Sequence, residues 1–261
     1  MLEVLLFFRA VARRRLLAVL AGVAVAAALS GQAYAAQATI AVAANFTDAA
    51  KEIGALFEKA TGHKALFSFG STGQLYTQIA QGAPFDVFLA ADRARPKKAV
   101  DAGFAVPGSR FTYAAGKIVL FSKDKGRVKG ETTLKEANFR KLAICNPVTA
   151  PYGAASVEAM KKLGVYDKLR AKLVQGNNVS QAYQFVETGN AEVGFVALSQ
   201  VVRRHGGSRW IVPQSLYAPI AQDAVLLKHG ANNAAARAFV AFLKGPEARA
   251  VKEKYGYGAG D

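Results

Sequence analysis

The sequence predicts an α/β fold of two lobes joined by a pair of strands, with a cleft between them. Three observations carry this. Short apolar runs alternate with helix-period patterns in two successive series, the order that gives parallel strands covered by helices. A strand pair after Pro107-Gly108 separates the two series. Several apolar runs also stop at small, uncharged, hydrogen-bonding clusters where a helical pattern begins, and in open α/β sheets ligands sit outside such strand ends.

The first series starts with a strand over Thr39–Ala43 and a helix over Asp48–Ala60, whose Ile53, Leu56 and Phe57 share a face before Gly62 stops it. Lys64–Phe69 reads as a strand, Gln74–Gln81 as a helix closed by Gly82, Asp86–Ala90 as a strand, and Pro96–Ala102 as a helix ended by Gly103. This order implies a parallel first sheet. Phe111–Tyr113 and Lys117–Ser122 read as strands joined by Ala114-Ala115-Gly116, followed by a charged loop over Lys123–Lys129.

The second series has strands at Lys141–Cys145, Val174–Asn177, Glu192–Ala197, Trp210–Val212 and Ala221–Leu227. Helical patterns fall at Gly153–Leu163, Tyr166–Leu173, Ser180–Thr188 and Ser199–Arg204. Asn232–Leu243 and Glu247–Tyr255 close the chain as two helices divided by Gly245-Pro246.

Residues 1–35 read as a cleaved export signal. Arg9, Arg13, Arg14 and Arg15 precede an apolar run from Leu16 to Leu29, and Ala33-Tyr34-Ala35 supplies the small-x-small cleavage pattern. That run is shorter than the ~20 residues of a spanning helix. A periplasmic location is expected. The remaining 226 residues suffice for two lobes. The full chain carries +16, of which residues 1–35 supply four Arg and one Glu, leaving about +13. The cations are scattered rather than interleaved with aromatics, so nucleic acid is not an expected partner. Their general field would steer an anion.

Catalytic chemistry has little to work with. His63, His205 and His229 fall in turns, none beside a Ser and an Asp as a hydrolytic triad needs, and no pair has the spacing of a zinc site. Asp86 and Asp92 read as caps and surface charges. Cys145, the sole cysteine, has apolar neighbours and reads as a small buried hydrophobe.

The clusters themselves are Val42–Thr47, Phe69–Gln74 and Asn146–Gly153, and none contains Arg, Lys, His or Cys. Helix starts present unpaired N–H groups and the positive end of the helix dipole. Asn45 adds an amide, Ser71 and Thr72 hydroxyls, and Tyr152 a phenol; the N–H groups near Ala44, Thr72 and Tyr152 would face a common space. Asn177–Ser180 is a fourth uncharged passage, with a free N–H at Val179. Each alone is an ordinary helix cap. Four together point to one shared anion site built from neutral donors. Such a site suits a fully deprotonated tetrahedral dianion, whereas hydrogenphosphate also needs an acceptor for its proton.

These residues resemble the periplasmic molybdate-binding proteins of ABC importers, the ModA family, over about Thr39 to Tyr257. The anchors are Ala43-Ala44-Asn45-Phe46-Thr47, Gly70-Ser71-Thr72-Gly73, Gly82-Ala83-Pro84-Phe85-Asp86-Val87-Phe88, Asn146-Pro147 with Ala150-Pro151-Tyr152-Gly153, and Gly194-Phe195-Val196-Ala197. Leu243-Lys244-Gly245-Pro246 and Lys254-Tyr255-Gly256 match as well. The resemblance implies a type II periplasmic binding protein: two α/β lobes with a two-strand hinge, crossed near Gly108–Ala115 and again near Tyr217–Ala221. One lobe would comprise 36–112 and 218–261, the other 113–217.

It further implies oxyanion ligands at Asn45, Thr72, Tyr152 and Val179, with Ala44 and Ser71 adjacent. Many members carry a Tyr where this chain has Ala197, so Tyr152 is expected to take over that donor role. The implied function is that of the non-enzymatic binding component of an importer. It would be a monomer that carries molybdate or tungstate to an inner-membrane permease, with no cofactor and no metal cation. Sulfate, chromate or another tetrahedral oxyanion is the alternative ligand, and a secreted hydrolase the remote alternative activity.

Overall fold

Two five-stranded sheets organise the chain in a computed structural model that describes residues 35–260. The export signal expected over 1–35 lies, but for Ala35, outside those residues. In chain order the first elements are β1 (Gln37–Ala43), α1 (Thr47–Thr61), β2 (Lys64–Gly70), α2 (Thr72–Ala80), β3 (Val87–Leu89), α3 (Ala94–Asp101) and β4 (Phe111–Gly116). Then follow β5 (Ile118–Ser122), α4 (Thr132–Glu136), β6 (Leu142–Cys145), α5 (Pro151–Lys162), α6 (Tyr166–Leu169), β7 (Leu173–Gly176), α7 (Val179–Glu187), β8 (Val193–Ala197), α8 (Leu198–Val201) and β9 (Ser208–Ile211). β10 (Ile220–Leu226), α9 (Ala234–Lys244) and α10 (Pro246–Lys254) complete the chain.

The first sheet runs β2-β1-β3-β10-β4 and the second β7-β6-β8-β5-β9. Neither is purely parallel. β10 pairs antiparallel with both β3 and β4, and β5 does the same with β8 and β9. The expectation of a parallel first sheet therefore holds for β2-β1-β3 alone. Local periodicity shows that a strand exists but is blind to a partner from the far end of the chain.

The chain passes from one sheet to the other at Lys117 and returns between Ile211 and Ile220. Ala114-Ala115-Gly116, expected as a link, is instead the end of β4, paired with β10 through Gly116↔Ile220. The outward crossing thus falls just past the expected span. A short helix, α4, forms where no element was expected; five residues are too few for periodicity to declare.

Register places the loops. β1 and β2 pair in step from Gln37↔Lys64 to Ala43↔Gly70, so both strands finish level and their helix-bound loops emerge side by side. β6 and β7 do the same, ending at Cys145↔Gly176. Side chains lock each helix start: Ser71 Oγ accepts from the Gln74 N–H at 3.4 Å and Asn178 Oδ1 from the Gln181 N–H at 3.1 Å, while Pro151 opens α5 with no N–H to satisfy.

Each lobe has its own core. Phe46, Phe57 and Phe239 pack on the first sheet, Phe46 against Tyr113 of β4, with Phe57 and Phe239 edge to face at 5.3 Å, which fixes α9 on that lobe. Phe121, Met160, Leu169 and Phe195 fill the second. Asp86, expected on the surface, is buried: its carboxylate accepts from the Thr39 N–H at 2.7 Å and from Asn233 Nδ2 at 3.2 Å and faces His229 Nδ1 at 2.8 Å. It ties β1 to the approach to α9. Asp92 does act as a cap, accepting from the Arg95 N–H at 2.8 Å.

Candidate functional site

The level strand ends of both sheets open onto one crevice. Ala44 and Asn45 reach it from the end of β1, Ser71 and Thr72 from the start of α2, Tyr152 from the first turn of α5, and Val179 from the start of α7. All six sequence-selected residues are therefore brought together. Every one is at most 5 % exposed. The space they enclose in this arrangement is small, ≈ 10 Å³. Among the described residues no charged side chain lines it.

A larger cavity of ≈ 480 Å³ lies between β4 and the C-terminal helices, bordered by Phe111, Lys244, Arg249 and Lys252. It draws on none of the four helix-start junctions, and size alone does not make it the site. The crevice has walls from both lobes, whereas the larger cavity is bordered by β4, the C-terminal helices and the chain end alone.

The available protons can be followed one by one. Thr72 Oγ1 accepts from the Ala91 N–H at 3.0 Å, so its own proton is free to point into the crevice. Tyr152 Oη accepts from Gln222 Nε2 at 3.3 Å and likewise keeps a proton to give. Burial, then the neighbouring Tyr257, Tyr113 and Tyr217, hold the Tyr152 phenol far above the ordinary tyrosine range, so it remains a neutral donor. Main-chain N–H groups in the first turns of α2, α5 and α7 have no partner within their own helices.

Two sequence expectations need correction here. The Asn45 amide does not serve the crevice: Nδ2 donates to Gln222 Oε1 at 2.8 Å and to Tyr257 Oη at 3.1 Å, which uses both of its hydrogens. Asn45 meets the crevice through its main chain instead. The Ser71 hydroxyl is also engaged, donating to Gln74 Oε1 at 2.9 Å. Both are structural side chains beside the site. Sequence reasoning missed Gln222 and Tyr257 behind the crevice. The signal for Gln222 was present, an amide inside the apolar strand Ile220–Leu226.

The lobes are in contact across the crevice. The Gly73 N–H donates to the Thr149 carbonyl at 2.8 Å, Arg95 Nη2 to the Val148 carbonyl at 2.9 Å, and Ser199 Oγ to the Asn45 carbonyl at 2.8 Å. This is a closed arrangement.

Among the described residues the crevice wall holds no His, Cys, Asp or Glu. His63 accepts from the Ala36 N–H, His229 pairs with Asp86, His205 is exposed, and none lines the crevice. Cys145 is buried and its thiol is pushed up to about 12 by burial. Among the described residues no group of three His, Cys, Asp or Glu could hold a metal ion, and no helix is long and apolar enough to cross a membrane.

Comparison with known proteins fits this geometry. Residues 38–258 match the family model described as bacterial extracellular solute-binding protein. The molybdate-binding protein ModA of Rhodobacter capsulatus is 61% identical over 217 residues, covering 83% of this chain and 86% of that one. The chain belongs to the ModA family. The ModA protein of Azotobacter vinelandii is 54% identical over 88% of this chain and 93% of its own. The solved Azotobacter vinelandii periplasmic molybdate-binding protein superposes with a TM-score of 0.82 at 41% identity, covering 85% of this chain and 98% of that one. A sulfate-binding protein from Mycobacterium tuberculosis shares this fold at a TM-score of 0.73 but is only 12% identical. The architecture is thus common to binders of different anions, and family membership rests on the close relatives.

Proposed function

We propose that this ModA-family chain is the non-enzymatic, periplasmic binding component of an ABC importer and takes molybdate or tungstate into the crevice between its lobes. The observation that carries the reading is the donor-only wall: Thr72 and Tyr152 hydroxyls and helix-start N–H groups converge with no carboxylate and no cation among them. A proton-free tetrahedral dianion is satisfied by donors alone. The binding residues on this reading are Thr72 and Tyr152 through side chains, and Ala44, Asn45, Ser71 and Val179 as main-chain walls or donors. Its close relatives are named as molybdate-binding proteins, which supports molybdate over sulfate.

The lobe division that goes with this function is 36–112 with 218–261 on one side and 113–217 on the other. A ligand touching both sides favours the closed form, because only there are its bonds to both lobes made. The closed protein, a monomer, would then dock on an inner-membrane permease.

Thermal melts with molybdate, tungstate, chromate, sulfate and phosphate test the reading. A ligand that binds only the folded state adds roughly 2.7 kcal/mol at ~100 times its dissociation constant. A clear rise with molybdate and tungstate is expected. A rise with phosphate and none with molybdate would end it.

A further inference from the structure

Behind the crevice lies a chain of buried polar groups whose hydrogen-bond directions follow from one another. Tyr257 Oη donates its single proton to the Asn45 carbonyl at 2.6 Å. Toward the Asn45 side chain it can therefore only accept, which turns Nδ2 to face it at 3.1 Å. The second Nδ2 hydrogen goes to Gln222 Oε1 at 2.8 Å. Tyr113 Oη also approaches Oε1, at 3.2 Å. A flipped Gln222 would set two NH2 groups against each other, so its Nε2 must point the other way, at Tyr152 Oη. Gln222 is fully buried and lies on β10, the strand leading back from the second lobe. No Cβ could stand at Gly116, where it would collide with the Tyr152 hydroxyl and Gln222 Nε2. The absence of a side chain there is what lets the two groups meet.

We propose that Gln222 is a positioning residue that fixes Tyr152 as an acceptor on its inner side, so that the Tyr152 proton points into the crevice and selects oxyanions carrying no proton of their own. The proton of hydrogenphosphate needs an acceptor, and the Tyr152 hydroxyl turned this way offers a donor instead. Buried polar networks have this power because a misdirected group finds no water to correct it. The inference rests on the oxyanion-binding reading above and adds the residue that sets its preference. Gln222 does not line the crevice, and it meets the Tyr152 hydroxyl through Nε2.

The test is the ratio of tungstate to hydrogenphosphate affinity, measured by displacement titration at mildly alkaline pH, where phosphate is the monoprotonated dianion. Gln222→Glu is nearly isosteric but offers acceptors to Asn45 and to Tyr152 alike, turning the Tyr152 proton away from the crevice. Its added charge acts on both dianions and largely cancels in the ratio. The ratio should fall by about tenfold or more, the size of one hydrogen bond to a charged group. In a Tyr152→Phe background the same substitution should leave the ratio unchanged. A ratio unmoved by Gln222→Glu, or moved equally with Phe at 152, overturns the proposal. Should Gln222→Glu not fold, Gln222→Met frees the Tyr152 proton to point either way; a smaller fall, again absent with Phe at 152, is expected, and an equal effect in both backgrounds refutes it. Failure of the wild type to bind tungstate would refute the functional reading instead.

Discussion

Gly73 and Thr149 meet across the crevice, the Gly73 N–H donating to the Thr149 carbonyl at 2.8 Å. The two backbones can approach this closely because position 73 has no side chain. A Cβ there would lie 3.0 Å from Thr149 Cα and 3.1 Å from Arg95 Nη2. Gly73 lies in the first turn of α2 with an ordinary helical φ, so Ala fits the open lobe and is the better helix former. Gly73→Ala should therefore weaken oxyanion affinity by roughly tenfold while leaving the ligand-free melting temperature unchanged or higher. Calorimetric titration beside a ligand-free melt checks both halves.

Arg95 latches the rim. Its Nη1 pairs with Asp92 Oδ2 at 2.6 Å and its Nη2 reaches over to the Val148 carbonyl at 2.9 Å, without lining the crevice. Removing a contact made only in the closed form raises the opening rate. Arg95→Ala should speed ligand release several-fold, about the worth of one partly exposed hydrogen bond, with a smaller effect on association. Stopped-flow displacement would show it.

Tyr152 presents the one phenol that lines the crevice among the described residues. Its proton is available because Gln222 occupies the oxygen's other side. Tyr152→Phe should cost about tenfold or more in affinity, the range for a hydrogen bond to a charged group. Ala197 has no hydrogen-bonding side chain with which to compensate. Equal affinity in the two proteins would remove Tyr152 from the site.

Glu192 governs part of the acid limb of stability. Burial raises its pKa, but the Lys141 N–H at 3.0 Å, the Arg140 side chain at 3.1 Å and the Arg140 N–H at 3.3 Å outweigh this and lower it from 4.5 to about 2. A carboxylate whose folded pKa lies below its unfolded one binds fewer protons when folded. Its contribution is thus complete above the unfolded pKa and lost as pH falls from about 4.5 to 2. Glu192→Gln should lower stability at neutral pH and flatten its decline across that window, as denaturant titrations at several pH values would reveal.

The helix starts were legible in the sequence because their signals are local. Ser71, Asn178 and Pro151 each announce a helix within two or three residues, and the apolar runs before them announce strands. Convergence of the four junctions was readable only from their shared lack of charge. What sequence could not carry were relations over long separations. β10 enters the first sheet from more than a hundred residues away and makes it mixed. Asn45 looked like a ligand donor because its amide was the conspicuous feature of its loop. Its partners, Gln222 and Tyr257, lie 177 and 212 residues on. Asp86 was misread for the same reason, its burial being set by Asn233 and His229 at the other end of the chain.

The most direct test is a crystal of the tungstate-loaded protein, with the metal located by its anomalous scattering. One strong peak is expected between the lobes, with oxyanion oxygens in hydrogen-bond reach of Thr72 Oγ1, Tyr152 Oη and the first-turn N–H groups of α5 and α7. A peak held by Arg or Lys side chains, or one lying outside the crevice, would contradict it.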